Sequence, residues 1–220
     1  MASTTVENYL KAIYLAEQEQ SPVTMGQLAK DLKVTPGTAT SMAKQLEKMD
    51  LIRYEPRIGV SLNNEGYNQA VRIVRKHRLV ELFLAETLGM EWGLIHEEAD
   101  RLEHAISEEV LTHLDRFLGN PKRDPHGDPI PAADGTFAEK RNLVTLSESP
   151  VNKPLRIARI SDQSCNFLDF LDKNELKPGM KLQSELKNKA ADTITVVLDN
   201  GHSTTLGINA ATKILVEVLP

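Results

Sequence analysis

Apolar residues recur at a helical period through the first third of the chain. The pattern over 5–19 predicts an amphipathic first helix, with Thr4 or Thr5 as its N-cap. Thr24 is placed to cap a second helix, and after a short turn a third helix covers 38–50. Two helices separated by so short a turn are typical of a helix-turn-helix. The predicted buried stripe of the third helix is Met42, Leu46 and Met49.

A predicted hairpin and two predicted long helices follow. The β-prone runs 51–55 and 60–62 are joined by a turn containing Pro and Gly, which predicts a wing. A long helix begins at Asn64 or the next residue and ends near Gly89, and a second long helix covers 92–118. Their apolar faces exceed what a helix pair buries, so we expect a second copy of the chain to cover part of them. The apolar residues concerned are Leu79, Val80, Leu82, Phe83, Leu84, Leu88 and Leu94.

The pattern changes again after the second long helix. Residues 121–154 are rich in Pro, Gly and Asp and have little periodicity, which predicts a linker. From Leu155 onward short β-like runs alternate with turns, and Asn200-Gly201 between two such runs is a strong hairpin signal. The C-terminal region is therefore predicted to be a small, mostly β barrel, and the chain as a whole an α+β multidomain protein.

Composition narrows the chemistry. The 220 residues are 40% hydrophobic and 26% charged, which is ordinary for a globular protein. We expect a cytoplasmic protein, because no apolar run approaches the roughly 18 residues that span a bilayer and the N-terminus lacks a signal peptide. The single Cys165 excludes a multi-thiolate zinc site, so a bound metal would use N and O ligands. With a net charge of −5, nucleic-acid binding would depend on local basic patches such as 72–78.

A group of possible metal ligands lies in the predicted helix over 92–118. At about 100° per residue, four polar side chains fall within an arc of roughly 100° on a face bordered by apolar residues. These four residues are His96, Asp100, Glu103 and His104.

The order of helix-turn-helix, wing, RKHRLVE and HEEADRLEH resembles the DtxR/MntR family of metal-dependent transcriptional regulators. The resemblance covers almost the whole chain, including a C-terminal SH3-like domain of the FeoA type. It implies a winged helix-turn-helix DNA-binding domain over 1–72, a helical dimerisation and metal-binding domain over 73–142, and a linker with the SH3-like domain over 143–220. It also implies a homodimer that binds Mn(II) or Fe(II), then a pseudo-palindromic DNA operator, and represses metal-uptake genes.

The resemblance implies a primary metal site made of Asn8, Asp100, Glu103 and His104. Carboxylate oxygens with one imidazole suit Mn(II) and Fe(II). Asn8 would be a weaker, neutral ligand, and an alternative is that it is only a polar helix residue. Lys11 occupies a position that is acidic in the binuclear manganese subgroup, which argues against a closely spaced two-metal cluster.

The resemblance also implies a secondary site that includes His77, Glu81 and His96. We favour Glu81, His126 and Asp162 within the wider set. His77 could instead be an interhelical histidine, and the residues of the DPHGDP turn could be turn residues only. The candidates that would complete the site are Asp124, His126, Asp162, Gln163 and Asn166.

The third helix and the wing are the predicted DNA surface. Small hydroxyl side chains can approach base edges and phosphates, and basic side chains can contact the backbone. Because few residues here could make a bidentate arginine–guanine contact, we expect modest direct readout and some dependence on DNA shape. Lys33, Lys48 and the basic run 72–78 would add phosphate contacts. The predicted DNA-binding residues are Thr35, Gly37, Thr38, Thr40, Ser41, Lys44, Arg53 and Arg57.

Two other functions remain open at this point. The same carboxylate and histidine set could serve a helical metalloenzyme, or the chain could be a metal-handling adaptor. Against catalysis, the histidines lack HExxH spacing and the carboxylates lack the Glu-x-x-His pairing of di-iron bundles. We therefore expect a protein that is not an enzyme.

Overall fold

The protein is described from a computed structural model, which covers residues 3–137 and 141–220. The chain forms two compact units. The first unit contains the residues up to His77 together with Glu103–Ile106 and Pro131–Thr136. The second contains Arg78–Leu102, Ser107–Ile130 and the chain from Phe137 onward. Within the described residues, no helix has the length and apolar character needed to cross a membrane. Residues 138–140 of the predicted linker lie outside the described part.

Three helices begin the first unit, and a side-chain oxygen caps the N-terminus of each. Thr24 caps the second helix, as predicted. The first helix is capped by Ser3, where Thr4 or Thr5 was expected, and the third is capped by Thr35 and starts with a proline, two residues before the predicted start. The helices are α1 (Thr4–Glu17), α2 (Met25–Asp31) and α3 (Pro36–Lys48).

The buried stripe of α3 differs from the prediction. Ala39, Ala43 and Leu46 are fully buried, whereas Met49 is 46% exposed and Met42 is half-buried. Helix α3 packs against α2, and two of its three buried residues are alanines, whose small side chains permit a close approach. Only Leu46 of the predicted stripe is confirmed.

The wing is an antiparallel hairpin of β1 (Ile52–Glu55) and β2 (Gly59–Leu62). It is anchored by a bridge between Val23 and Val60, whose backbone groups exchange hydrogen bonds of 2.9 Å. Gly59 has a φ of +151°, and a Cβ there would lie 2.3 Å from the carbonyl oxygen of Val23. The wing can therefore approach the backbone of Val23 this closely only with glycine at position 59.

The helical region contains three helices, since the predicted single helix over 92–118 is wrong. These are α4 (Asn64–Glu86), α5 (Ile95–Leu102) and α6 (Glu108–Phe117). Ser107 caps α6 by accepting a hydrogen bond from the backbone N–H of Val110 at 3.2 Å. Glu103 and His104 consequently lie in a turn after α5, so the helical arc that grouped them with Asp100 does not exist.

The apolar residues of α4 are mostly covered within the chain. Leu79, Val80, Leu82 and Leu84 are each at most 5% exposed, so a second copy could cover only other members of the predicted set, such as Leu88 and Leu94. Other large apolar side chains of the second unit do remain exposed, with Phe117 the most exposed at 67%. Between α4 and the end of α6, the exposed large apolar residues of this unit are Leu88, Leu94, Leu102, Val110 and Phe117.

The C-terminal region is an antiparallel six-stranded sheet in the order β3-β8-β4-β5-β6-β7, with two short helices. The Asn200-Gly201 turn joins β6 and β7, as predicted. The two helices, α7 (Cys165–Lys173) and α8 (Ile208–Thr212), were not predicted. Leu168 and Leu171 of α7 are fully buried in the core of the sheet. The elements are β3 (Val144–Thr145), β4 (Pro154–Ile160), α7 (Cys165–Lys173), β5 (Lys181–Asn188), β6 (Thr193–Leu198), β7 (Ser203–Gly207), α8 (Ile208–Thr212) and β8 (Ile214–Val218).

Candidate metal centres and nucleic-acid surface

A first cluster of ionisable side chains lies in the first unit, where the turn after α5 meets α1. His104 Nδ1 lies 2.5 Å from Glu7 Oε2, and His104 Nε2 lies 3.4 Å from Glu103 Oε1. On the other side of the same carboxylate, Lys11 Nζ donates to Glu103 Oε2 at 2.7 Å. His77 Nδ1 lies 2.6 Å from that oxygen. We call these five residues the first cluster.

The first cluster contains donor types that Mn(II) and Fe(II) prefer and one acceptor atom without a hydrogen bond from the described residues. Glu103 is only 1% exposed, and among the described residues its Oε1 has no hydrogen-bond partner. A buried acceptor without a partner is costly, and a bound cation removes that cost. Glu7, Glu103 and His104 supply two carboxylates and one imidazole, a set suited to Mn(II) or Fe(II).

The residues of the predicted primary site make different contacts, and their roles as ligands stay predictions. Glu103 and His104 lie side by side, but Asn8 is exposed and its neighbour Glu7 makes the contact with His104. Asp100 is in α5 of the second unit, where its Oδ2 lies 3.9 Å from His96 Nε2. A signal for Glu7 was present in the sequence, since it precedes Asn8 and a carboxylate is the stronger ligand.

A second cluster lies in the second unit and consists of Glu81, His96, Asp124 and His126. Glu81 projects from α4 and is 1% exposed. Its Oε1 lies 2.9 Å from His96 Nδ1, and its Oε2 lies 3.7 Å from His126 Nδ1. One ligand atom from each of Glu81, Asp124 and His126 falls within 4.8 Å of the others, a spacing that one metal ion can bridge.

Three buried atoms of the second cluster lack hydrogen bonds within the part of the chain that the structure describes. They are Asp124 Oδ2 and both ring nitrogens of His126, a side chain that is fully buried. Such atoms need a reason to be buried unpaired, and metal ligation is one that fits an imidazole beside two carboxylates. The residues present therefore fit a divalent cation.

Asp124 shapes the loop around the second cluster with its other oxygen. Its Oδ1 accepts hydrogen bonds of 2.9 Å from the backbone N–H groups of His126 and Asp128. Burial, with the charges of Asp128 and Glu81, raises the pKa of Asp124 to about 7, against the opposing effects of His126 and Arg78. A cation at Oδ2 would favour the ionised form of this carboxyl.

The backbone of this loop is fixed against strand β4. The N–H of Ile160 donates to the carbonyl of His126 at 2.8 Å. Gly127 has a φ of +88°, and a Cβ there would lie 2.0 Å from the carbonyl oxygen of Ala158. Only glycine allows both the left-handed conformation and this approach, which sets the position of His126.

Side chains also join the loop to the C-terminal sheet. Arg159 Nε lies 2.6 Å from Asp128 Oδ1, and Gln163 Nε2 donates to Asp128 Oδ2 at 2.8 Å. The ring of His126 stacks on Trp92 with centroids 5.4 Å apart. Contacts with the C-terminal region therefore position His126 of the second cluster.

The remaining predicted secondary ligands also have contacts outside the second cluster. His77 belongs to the first cluster. Asp162 forms an ion pair with Lys213 at 2.6 Å, Gln163 contacts Asp128, and Asn166 is exposed on α7. Their roles as ligands stay predictions.

The predicted DNA-binding residues are solvent-accessible on α3 and the wing. The Thr35 hydroxyl caps α3 by accepting from Thr38 N–H at 3.2 Å, and the Thr40 hydroxyl donates to Pro36 O at 2.8 Å. These two hydroxyls therefore also stabilise the start of the helix. The exposed members of the set are Thr35, Gly37, Thr38, Ser41, Lys44, Arg53 and Arg57, and Thr40 is half-buried.

Three family models match consecutive parts of the chain. The N-terminal DNA-binding domain of iron-dependent repressors matches residues 1–60. The metal-binding and dimerisation domain of the same repressors matches 63–132. The FeoA domain matches 144–218, the region of the six-stranded sheet.

Similar proteins agree with these matches. An HTH-type transcriptional regulator of Methanocaldococcus jannaschii is 40% identical over 117 residues, which cover 53% of this chain and 94% of the relative. The iron-dependent repressor IdeR of Mycobacterium leprae is 27% identical over 97% of this chain and 96% of its own length. A solved manganese-dependent transcriptional repressor in complex with manganese superposes with a TM-score of 0.88 at 34% identity, covering 97% of this chain and all of the other. The chain belongs to the DtxR/MntR family of metal-dependent transcriptional repressors.

Proposed function

We propose that this chain is a Mn(II)- or Fe(II)-responsive repressor that binds operator DNA as a homodimer and controls metal-uptake genes. The observation that carries the proposal is the contact between the turn after α5 and α1. Glu103 and His104 in this turn contact Lys11 and Glu7 of α1. Helix α1 packs against α2 and against strand β2 of the wing, so the helix that carries Glu7 also contacts the DNA-binding elements.

The residues of the first cluster would hold the regulatory ion through Glu7, Glu103 and His104. The ion would supply positive charge to two carboxylates that otherwise repel each other. Glu7 orients His104 through its hydrogen bond, and Glu103 keeps one oxygen buried toward the histidine. Ordering these side chains fixes α1 against the turn, and the state with α1 fixed is the one we propose to bind DNA.

The second cluster would hold a further ion through Glu81, Asp124 and His126. The loop that carries two of these ligands is held by strand β4, so binding here stabilises the second unit. We propose that this site tunes stability and metal affinity, while the first cluster controls DNA binding.

A dimer is proposed from the exposed apolar side chains of the second unit and from the family match over 63–132. Two copies related by a twofold axis present two recognition helices to a pseudo-palindromic operator, with half-sites separated by whole helical turns. We place this activity in the cytoplasm, where the operator is.

The function is tested by selecting bound duplexes from a random-sequence DNA pool with Mn(II), with anaerobic Fe(II) and with a chelator. We expect enriched duplexes with a twofold-symmetric motif, bound at least tenfold more tightly with metal than with chelator. Failure to enrich DNA under any metal condition would contradict the repressor function. Metal binding without DNA binding would then favour the adaptor, and metal-dependent hydrolysis would favour the metalloenzyme.

The assignment of Glu7 as a ligand is tested against its neighbour Asn8. We expect Glu7→Gln and His104→Ala each to weaken Mn(II)-dependent binding of the selected duplex at least tenfold, because the first replaces a carboxylate with a weaker neutral amide and the second removes an imidazole. Asn8→Ala should change it less than threefold, and the exposed His113→Ala is the control for His104. Fluorescence anisotropy at saturating Mn(II) measures the affinity. A larger loss for Asn8→Ala than for Glu7→Gln would restore Asn8 as the ligand.

A further inference from the structure

We propose that Lys11 is an internal competitor of the regulatory metal ion. Its ammonium group forms an ion pair with the Glu103 carboxylate in the metal-free protein and is released from that carboxylate when the ion binds. The inference rests on the proposed function, because it concerns the same first cluster, and it adds a device that sets the metal concentration at which the cluster fills.

The ammonium of Lys11 occupies a position with metal-like surroundings. Nζ lies 2.7 Å from Glu103 Oε2 and 2.8 Å from His77 Nδ1, a carboxylate and an imidazole. Lys11 is 9% exposed, and lysine is rarely so buried unless it is paired. A tethered monocation therefore lies between two groups of the kinds that ligate Mn(II).

The two oxygens of Glu103 are in unequal situations. Oε2 receives Lys11 and His77, whereas Oε1 faces His104 without a hydrogen bond from the described residues. A divalent ion bound at Oε1 would lie next to the Lys11 ammonium across one carboxyl group. Like charges at that separation in a buried setting repel strongly, so occupancy by one cation disfavours the other.

The hydrogen bonds of His77 show why Lys11 can leave. An ammonium only donates, so the Lys11 contact requires His77 Nδ1 to accept, while the contact of Nδ1 with Glu103 Oε2 at 2.6 Å requires it to donate. One nitrogen cannot do both at once. When Lys11 is released, Nδ1 can donate to Glu103 and Oε2 keeps a partner.

A charge-removing variant measures the competition. In a Glu81→Gln background, which weakens the second cluster, we expect Lys11→Met to bind Mn(II) at least tenfold more tightly than the unchanged lysine, by calorimetry. The exposed Lys30→Met, which removes the same charge from α2 of the same unit, should change the affinity less than twofold. Lys11→Arg, which keeps the charge, should stay weak. Equal or weaker Mn(II) affinity in a folded Lys11→Met would overturn the proposal.

A measurement on the unaltered chain removes dependence on the folding of that variant. An amine-acylating reagent, read by mass spectrometry, should modify Lys11 at least threefold faster with saturating Mn(II) than with chelator, while Lys30 is unchanged. Protection of Lys11 at full Mn(II) occupancy would contradict its release. If the chain bound no Mn(II), the proposed function itself would fail, whereas Mn(II) binding with an unresponsive Lys11 would overturn only the competition.

Discussion

At the scale of single residues, the two oxygens of Asp124 have different surroundings. Oδ1 closes the loop by accepting two backbone hydrogen bonds, while Oδ2 lies buried with no hydrogen bond from the described residues and 3.6 Å from Arg78 Nε. The arginine compensates only part of the cost of burial beside Asp128 and Glu81, so the pKa of Asp124 rises to about 7.

The raised pKa predicts a pH-dependent stability in the metal-free chain. In the unfolded chain this carboxyl ionises near 3.8, and in the folded chain near 7. The folded state therefore holds the extra proton between these values, so the stability that Asp124 contributes is present below about pH 4 and is lost as the pH rises to about 7. Asp124→Asn keeps the Oδ1 acceptor and cannot ionise. With chelator present, its stability relative to the wild type should rise from pH 4 to 7 and stay constant above.

Urea unfolding followed by circular dichroism at pH 4 to 8 measures this difference. Asp199→Asn, at an exposed position of the same unit, is the control and should show a constant difference over the same range. A constant difference for Asp124→Asn as well would contradict the assigned shift.

At the scale of elements, the loop before the C-terminal sheet is positioned by its fit to β4. The positive φ of Gly127 and its approach to Ala158 leave no room for a side chain, while Arg159 and Gln163 hold Asp128. The placement of His126 thus depends on a strand more than thirty residues away in the chain.

Gly127→Ala should displace this loop and weaken Mn(II) binding to the second cluster at least tenfold. Gly119→Ala is a matched control, since its φ of +78° carries similar backbone strain with nothing within 4 Å of the added Cβ. Both variants should lose about 1–2 kcal/mol from the left-handed conformation, and only Gly127→Ala should lose more, from the clash with β4. Calorimetric Mn(II) titration and urea unfolding separate these effects. Similar losses in both variants would mean that the contact with Ala158 is unimportant.

At the scale of the whole molecule, exposed apolar side chains on the second unit mark the proposed dimer surface. Val110 of α6 is 54% exposed and Phe117 is 67% exposed. Burying such large apolar side chains in an interface removes their surface from water and favours association. The exposed apolar surface is smaller than the sequence predicted, because the chain itself covers the middle of α4.

Val110→Glu should weaken self-association at least tenfold, because it places a charge in an apolar interface. Leu186→Glu makes the same kind of change at a residue that is 58% exposed on the C-terminal sheet, and it should leave the dimer intact. Sedimentation equilibrium at micromolar concentration gives both dissociation constants. Dissociation by Leu186→Glu but not by Val110→Glu would move the interface to the sheet.

The sequence by itself determined the local elements and the chemical class of the sites. Helical periodicity, the Thr24 cap and the Asn200-Gly201 turn depend on residues close in the chain, so their structures could be predicted. Ser107 is an equally local signal, because serine is a preferred N-cap and therefore favours a new helix start within 92–118.

Only the tertiary structure decided which candidate ligands meet. Glu103 contacts Lys11 across 92 residues, and His104 contacts Glu7 across 97. Such pairings depend on how the turn after α5 packs on α1, because a one-residue rotation of a helix exchanges Asn8 for Glu7 at the contact. The spacing of side chains along one segment does not specify how that segment is rotated against its neighbours. The types of candidate ligand could therefore be predicted from the sequence, and their partners could not.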